Sequence, residues 1–513
     1  MKKVIYTNFT SPYWVDVAKQ LASQSEWQPV YWLARPAQET VVKAEFPEVI
    51  FHSVQDAMKG IPSADYAPNT FVPIDTQVSK QLSECQLTTL KMMDRIDALG
   101  SFGYHDRTRL YYKLLSYWQT VVDDLSPNLV VFSTIPHMVY DYLLYELCKQ
   151  RGIRTLMFES TSMMGLTFLM DDYDKPSRAE ILYKSLLEEN KVLTLELSPS
   201  TDAYLNSLKG SYDDIPAYAR RAYKEKLPKI QHSTSGKNLW EKLLDFQKYP
   251  SYIAKQKRII LSRLRSPENY LKQRDKKLEE SSLSRLDYEL IRFQSARKMR
   301  KLEAHYHTLA GRVDFTQPYI YTAFSFQPER TSSPMGTIYV NQFLMVDLLA
   351  KSLPDGWRLY VKEHPTQFTA SKYFRSQSGR TKDFYDDLAA LPKVTIVSMT
   401  ADSFDLIDNA KAVATLTGTV GWEALHRGKP TLTFGYPWYR GCEGTFSIST
   451  WKSCIDAVRK IEAGYEVDQG KLRLFVYAVQ QTGLKAYVES HLKISNISDD
   501  ENAELLAKAL KEF

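Results

Sequence analysis

In the run RLYVKEHP, His364 follows Lys362 and Glu363 and precedes Pro365. Proline forbids helix at its own position and holds the residue before it extended, so this imidazole is fixed at the end of whatever element delivers it. An imidazole so held can protonate or hydrogen-bond a departing phosphate oxygen, with the Lys362 ammonium adding positive charge nearby. A second signal is TGTVGWEALHRGKP, where Thr417, Gly418 and Thr419 precede a helix-like run. Exposed amides and the positive dipole end make a helix start an anion site, and the two hydroxyls add donors. Gly421 keeps the first turn slim for a ligand, and Glu423, one turn from Thr419, suits ribose hydroxyls. A third signal is SFQPERTSSPMG, in which Gln327, Glu329, Arg330 and Ser332 crowd hydrogen-bonding groups around Pro328 and Pro334. So polar a loop after an apolar run reads as a binding loop, although its Ser and Thr would also cap a following helix. His137 and Glu159 each follow an apolar run in the first half of the chain, where a base toward an acceptor hydroxyl would stand; a structural role is open to both.

These residues need strands to carry them. Short, β-branched apolar runs alternate with helix-length spacers, the pattern of parallel sheets buried on both faces. Strands are expected at 3–7, 29–33, 49–52, 128–132 and 154–158, and again at 319–324, 358–362, 412–416 and 431–434. Helices are expected at about 13–22, 138–150, 338–351 and 420–427. The result is two doubly wound α/β domains, with His364 and Thr417 to Thr419 at carboxyl strand ends, where open sheets bind ligands. The organisation read from the chain is an amino-terminal domain over 1–177, a helical insertion over 178–306, a second α/β domain over 307–467 and a helical tail over 468–513 that packs back across the seam. A short alternating run at 192–197 and a loop at 233–236 (STSG) interrupt the insertion. The aromatic run Tyr436, Trp438 and Tyr439 suits either stacking on a base or sugar or packing as a lid.

At 513 residues with 44% hydrophobic and 25% charged content, the chain has ample material for two cores. Net charge is only +6, but residues 215–301 hold 23 Lys and Arg against 9 Asp and Glu, which leaves the rest of the chain at −8. That basic segment suits an anionic membrane surface or a charged polymer, with a solvated helical face as the plain alternative. Nucleic acid is not expected, because no recognition motif accompanies the charge. Four scattered cysteines without a C-x-x-C pair argue against a zinc site or disulfide framework and fit a reducing compartment. The first residues, broken by polar groups and Pro12, do not form a signal peptide, and no window is long and apolar enough to span a bilayer. Asp172-Tyr173-Asp174 imitates a metal-binding D-x-D but lies far from the other signals and reads as surface loop.

The segment YVKEHP followed by TLTGTVGWEALHRGKPTLTFGYPWY resembles the carboxyl-terminal half of bacterial capsule-polysaccharide biosynthesis glycosyltransferases, the group that includes Kdo transferases. It is more distantly similar to bacterial sialyltransferases with a His-Pro motif, which carry paired Ser where this chain has Thr-Gly-Thr. The resemblance covers about 318–439. It implies a GT-B-like architecture with the donor nucleotide in the carboxyl-terminal domain and the acceptor in the amino-terminal one. His364 takes the place of the histidine that contacts donor phosphate or acts as acid, and Thr417 and Thr419 that of the phosphate-binding hydroxyls. Lys362, Glu363, Pro365, Gln327, Glu329, Arg330, Ser332, Gly418, Gly421 and Glu423 complete the expected donor site. The expected reaction moves a sugar from a nucleotide donor, a CMP-linked ulosonic acid being favoured, to a hydroxyl of a bacterial surface polysaccharide or lipid-linked glycan. Neither a metal nor a cofactor beyond the nucleotide sugar is expected. The expected location is the cytoplasm, peripheral to the inner face of the bacterial inner membrane. The rivals are a polyol-phosphate transferase, a sugar-nucleotide epimerase, and a non-catalytic membrane-associated assembly component.

Overall fold

The structure is a computed structural model that describes residues 1–513 except 26, 98–101, 162, 164, 190–195, 210–284, 369–378 and 493–496. The loop at 233–236, most of the basic segment 215–301 and most of the run 192–197 lie outside the described residues. The first sheet contains β1 (Lys2–Thr7), β2 (Trp27–Ala34), β3 (Ile50–Ser53), β4 (Leu129–Phe132), β5 (Arg154–Ser160) and β6 (Thr167–Met170), in the order β3-β2-β1-β4-β5-β6. All neighbours are parallel except β6, which runs antiparallel to β5. The order reverses between β1 and β4, as in a Rossmann half, and ligands bind at such a switch point. Burial on both faces explains the unbroken apolar character of Leu129–Phe132. The Trp14–Ser25 helix covers one face by burying Trp14, Val17, Ala18 and Leu21, the i, i+3, i+4, i+7 spacing of an amphipathic stripe. Gly152, at φ 68°, follows the Val139–Gln150 helix and lets the chain turn at once into β5.

The second sheet contains β7 (Tyr319–Ala323), β8 (Arg358–Lys362), β9 (Val394–Ile396), β10 (Ala412–Thr415), β11 (Thr431–Thr433) and β12 (Thr445–Ser447). Its order is β12-β11-β10-β7-β8-β9, parallel throughout. This is the first sheet's winding with a parallel strand in place of β6. Helices pack on both faces, and Gly428 at φ 75° closes the Thr419–His426 helix before β11.

The described ends of 178–306 are built into the two domains. The Arg178–Glu188 helix lies against the Gln469–Thr482 helix of the tail, and the Arg285–Leu309 helix puts Met299, Leu302 and Tyr306 into the second domain's core. The tail then returns to the first domain, where the Asp499–Glu512 helix packs on Trp14–Ser25. One apolar core runs through both domains, joining Phe168 and Tyr183 to Trp422, Tyr439 and Phe475. All four cysteines are free and buried. No helix among the described residues is long and apolar enough to cross a membrane.

Candidate functional site

The carboxyl ends of β7, β8 and β10 form one edge. β7 lies between the other two, so His364 and Thr417 stand two strand spacings apart, on the order of 10 Å. The loop after β7 fills the interval and is tied to both sides. Thr417 Oγ1 donates to Thr331 O at 2.8 Å. Gln327 N–H donates to Gln367 Oε1 at 3.0 Å, and Gln367 Nε2 returns a bond to Gln327 O at 3.1 Å. Pro365 is half-buried in a turn closed by Gln367 N–H on His364 O at 2.8 Å.

The His364 ring is oriented by its own loop. Thr366 N–H lies 3.2 Å from Nδ1, and Thr366 Oγ1 lies 2.8 Å from the same atom. A backbone N–H can only donate, so Nδ1 is the acceptor and the neutral ring carries its proton on Nε2. That tautomer is a hydrogen-bond donor toward an oxyanion. At the neighbouring edge, Gly418 is the N-cap of the Thr419–His426 helix and offers no capping side chain. Its N–H donates to Thr415 Oγ1 at 3.2 Å, and its carbonyl accepts from the Tyr439 hydroxyl at 2.5 Å. Thr419 is exposed at this helix start, where an anion is favoured. Burial pushes the half-buried Glu423 up to about 7, opposed by Arg427 and by a hydrogen bond from Thr419. Near neutral pH this carboxyl therefore carries only part of its negative charge beside the helix tip.

The first domain meets the loop after β7. Glu159, near the end of β5, is only 5% exposed. Burial raises its carboxyl to about 7, and Arg330 and Arg440 pull the other way. Arg330 reaches across from the loop after β7 to donate to Thr134 Oγ1, just past β4. Arg440 lies 5.1 Å from the Tyr436 ring, donates to Tyr173 O at 3.3 Å and stands 3.7 Å from Glu180. A carboxyl from one domain thus lies within electrostatic reach of two guanidinium groups from the other. His137 occupies the loop after β4, half-buried, with Nδ1 2.8 Å from Ile135 O. Glu329 is half-buried in the β7 loop, where its carboxylate accepts from Thr331 Oγ1 at 3.4 Å.

Several residues expected to touch a donor are committed elsewhere. The buried Lys362 gives its ammonium to Ala401 O at 2.6 Å and Ser403 Oγ at 2.8 Å, anchoring the loop after β9. Burial lowers this ammonium to about 8 against the opposing pull of Asp402. Glu363 is fully buried in an ion pair with Arg380 at 2.7 Å. Gln327 donates to Val340 O and accepts from Arg380 at 2.5 Å. Ser332, 0% exposed, spends its hydroxyl on Glu329 O at 2.8 Å within its own turn. Gly421 makes room for protein rather than ligand, since a Cβ there would stand 2.3 Å from the Tyr439 hydroxyl. Tyr439 is buried and Trp438 packs 4.6 Å from Trp422, so these two aromatics are core. Asp172 is no surface residue: it is buried and accepts from Tyr145 at 2.5 Å, with Lys149 at 2.8 Å. Among the described residues no group of three or more His, Cys, Asp or Glu is placed to hold a metal ion.

Arg440, Thr134, Thr366 and Arg380 were not expected from the sequence. Only Arg440 carried a signal, as a charge closing the aromatic run GYPWYR. An open groove of about 820 Å³, lined by Lys209, Lys411 and Lys429 among others, lies at the amino ends of β8, β10 and β11. It is on the far side of the sheet from the strand ends where α/β folds bind ligands.

Two Rossmann-like sheets, with loops from their carboxyl edges in contact through Arg330 and Thr134, define a GT-B-like protein. Within it, residues 331–451 match the family model described as capsule polysaccharide biosynthesis protein, so the family resemblance read from the sequence holds over most of the second domain. Over 83 residues, 16% of this chain, the sequence is 31% identical to the capsule polysaccharide modification protein LipA of Neisseria meningitidis serogroup B. That alignment covers a tenth of LipA. Among solved structures, the chain is similar to a beta Kdo 2,7 transferase, KpsC of Thermosulfurimonas dismutans, at 17% identity and a TM-score of 0.22, over 42% of this chain and 62% of that one. It is also similar to the UDP-GlcNAc 2-epimerase of Neisseria meningitidis bound to UDP-GlcNAc, at 11% identity and a TM-score of 0.22, over 99% and 98% of the two chains. Strand order and direction by themselves carry the GT-B-like fold.

Proposed function

We propose that the protein is a glycosyltransferase that binds a nucleotide sugar at the edge formed by β7, β8 and β10 and an acceptor hydroxyl against the first domain. Glu159 takes the acceptor's proton as its oxygen bonds to the anomeric carbon, and the bond from that carbon to the donor phosphate breaks. Negative charge then grows on the leaving phosphate, facing the proton on His364 Nε2 and the amides at the start of the Thr419–His426 helix. Donors fixed in advance at such a point are typically worth roughly 2.7–4 kcal/mol each. The observation that carries the reading is that Arg330, from the loop after β7, donates to Thr134 just past β4 and so joins the carboxyl edges of the two sheets, with Glu159 of β5 within the electrostatic reach of Arg330 and Arg440. The family match over 331–451 supports the donor half.

In finer detail, we favour a CMP-linked ulosonic acid as donor and a bacterial surface polysaccharide or lipid-linked glycan as acceptor. The basic segment 215–301 draws the protein to an anionic membrane surface at the inner face of the inner membrane. A thermal-shift screen against CMP, UDP, GDP and CDP tests the donor site. A ligand at a hundred times its dissociation constant adds about 2.7 kcal/mol to stability. CMP is expected to give the largest shift, and no shift with any of the four would refute nucleotide binding.

A further inference from the structure

Beneath the His364 loop lies a buried cluster that the proposed reaction does not use. The side chains of Arg380 and Glu363 are 1% and 0% exposed. Arg380 Nε donates to Glu363 Oε2 at 2.7 Å, and the Tyr385 hydroxyl donates to the same oxygen at 2.7 Å. The other carboxylate oxygen accepts the backbone N–H of His364 at 2.7 Å. On its far side, Arg380 donates to Gln327 Oε1 at 2.5 Å and reaches Ser325 O at 3.5 Å. Phe384 and Phe324 face the guanidinium at 4.7 and 5.1 Å. The Tyr306 hydroxyl accepts the Glu363 N–H at 3.1 Å and donates to Val397 O at 2.6 Å.

A buried ion pair is a weak device for stability alone, because desolvating both ions offsets their attraction. What a planar, rigid fork supplies is direction. Here its donors reach the carboxylate beneath His364 and the segment that leads into the Arg330 loop. We infer that Arg380 is a positioning residue for His364, acting through Glu363 to hold the imidazole's backbone in register with the loop after β7. The inference rests on the reading of His364 as the donor-phosphate residue.

Two variants test it. Arg380→Lys keeps the charge opposite Glu363 but cannot span to Gln327. Tyr385→Phe removes one hydrogen bond from Glu363 and keeps the ring packing, so it serves if the first variant fails to fold. In protein labelled only at histidine, the nine rings are followed by NMR, and His364 is the signal lost in His364→Ala. The His364 signal is expected to move in both variants while those of His52, His137 and His426 stay. In donor turnover, Arg380→Lys is expected to lower kcat about 10- to 100-fold, with nucleotide affinity within about threefold. Placed on His364→Ala, it should add less than about threefold, since residues acting as a unit are not additive. An unmoved His364 signal in both variants overturns the inference, and so do losses that multiply in full on the His364→Ala background. If the unaltered protein shows no nucleotide-dependent turnover, the transferase reading fails, and the ring signals alone still decide whether Arg380 positions His364.

Discussion

Replacing Glu159 with Gln should separate what the carboxyl does for the reaction from what it does to the fold. Burial raises this group from 4.5 to about 7 despite Arg330 and Arg440, which corresponds to about 3 kcal/mol in favour of the protonated form in the folded state. The folded protein therefore holds a proton that the unfolded chain has released between those two pH values. Stability on this account is greatest below 4.5 and declines as pH rises through 7. Gln cannot ionise, so Glu159→Gln should match the parent near pH 4 and exceed it by up to about 3 kcal/mol at pH 8. Urea unfolding of both proteins at the two pH values measures the difference, and the comparison cancels every other titrating group. Activity should move the opposite way. A general base contributes about 10²- to 10⁴-fold, so the variant should lose most turnover. In the parent, kcat/KM should rise with pH to a half-maximum near 7. Turnover within threefold of the parent, or a variant less stable than the parent at pH 8, would refute the assignment of Glu159 as a buried base.

His364→Ala should keep its circular-dichroism spectrum and melt within a few degrees of the parent, because the ring is only half-buried. Its turnover should fall by about 10²- to 10³-fold, and near-normal turnover would remove His364 from the mechanism. Thr419→Val deletes an exposed hydroxyl at the helix start and should weaken nucleotide binding by about 1 kcal/mol; unchanged affinity by calorimetry would count against a phosphate there. Gly421→Ala forces a methyl to within 2.3 Å of the Tyr439 hydroxyl and 2.7 Å of Thr431 Cγ2. It should destabilise the fold by about 1–3 kcal/mol in chemical unfolding, and a stable variant would show that the Tyr439 packing yields.

The central strands could be read from sequence because runs such as LVVF are buried on both faces and admit few polar residues. β9 and β12 stand at the two ends of the second sheet with partly exposed side chains, so no unbroken apolar run marks them. The same contrast holds at the site. His364 was legible because proline constrains its backbone locally. Lys362 misled because a neighbour in sequence is not a neighbour across a sheet. It packs toward the Ser403–Asp408 helix, a choice of face fixed by tertiary packing. Glu363 and Gln327 look like ligand contacts in the sequence because their shared partner, Arg380, lies 17 and 53 residues away. Polar residues near a strand end read alike whether they face a cleft or satisfy one another.

The carboxyl-terminal tail has a larger part than its sequence suggested. Trp422 lies one turn into the helix that Thr419 begins, and its ring is 4.6 Å from Trp438, which in turn lies two residues before Arg440. Trp438 meets Phe168 at 6.2 Å, and Phe168 is the direct partner of Glu159 across β5 and β6. Each group proposed to act at this end of the cleft is therefore a few bonds from one aromatic cluster, which the tail completes with Phe475 against Trp438 and Tyr183. Cores pack at close to crystal density and deform little, so this cluster fixes the end of β5 against the Thr419–His426 helix, and the proposed transfer would draw its tolerance from that packing.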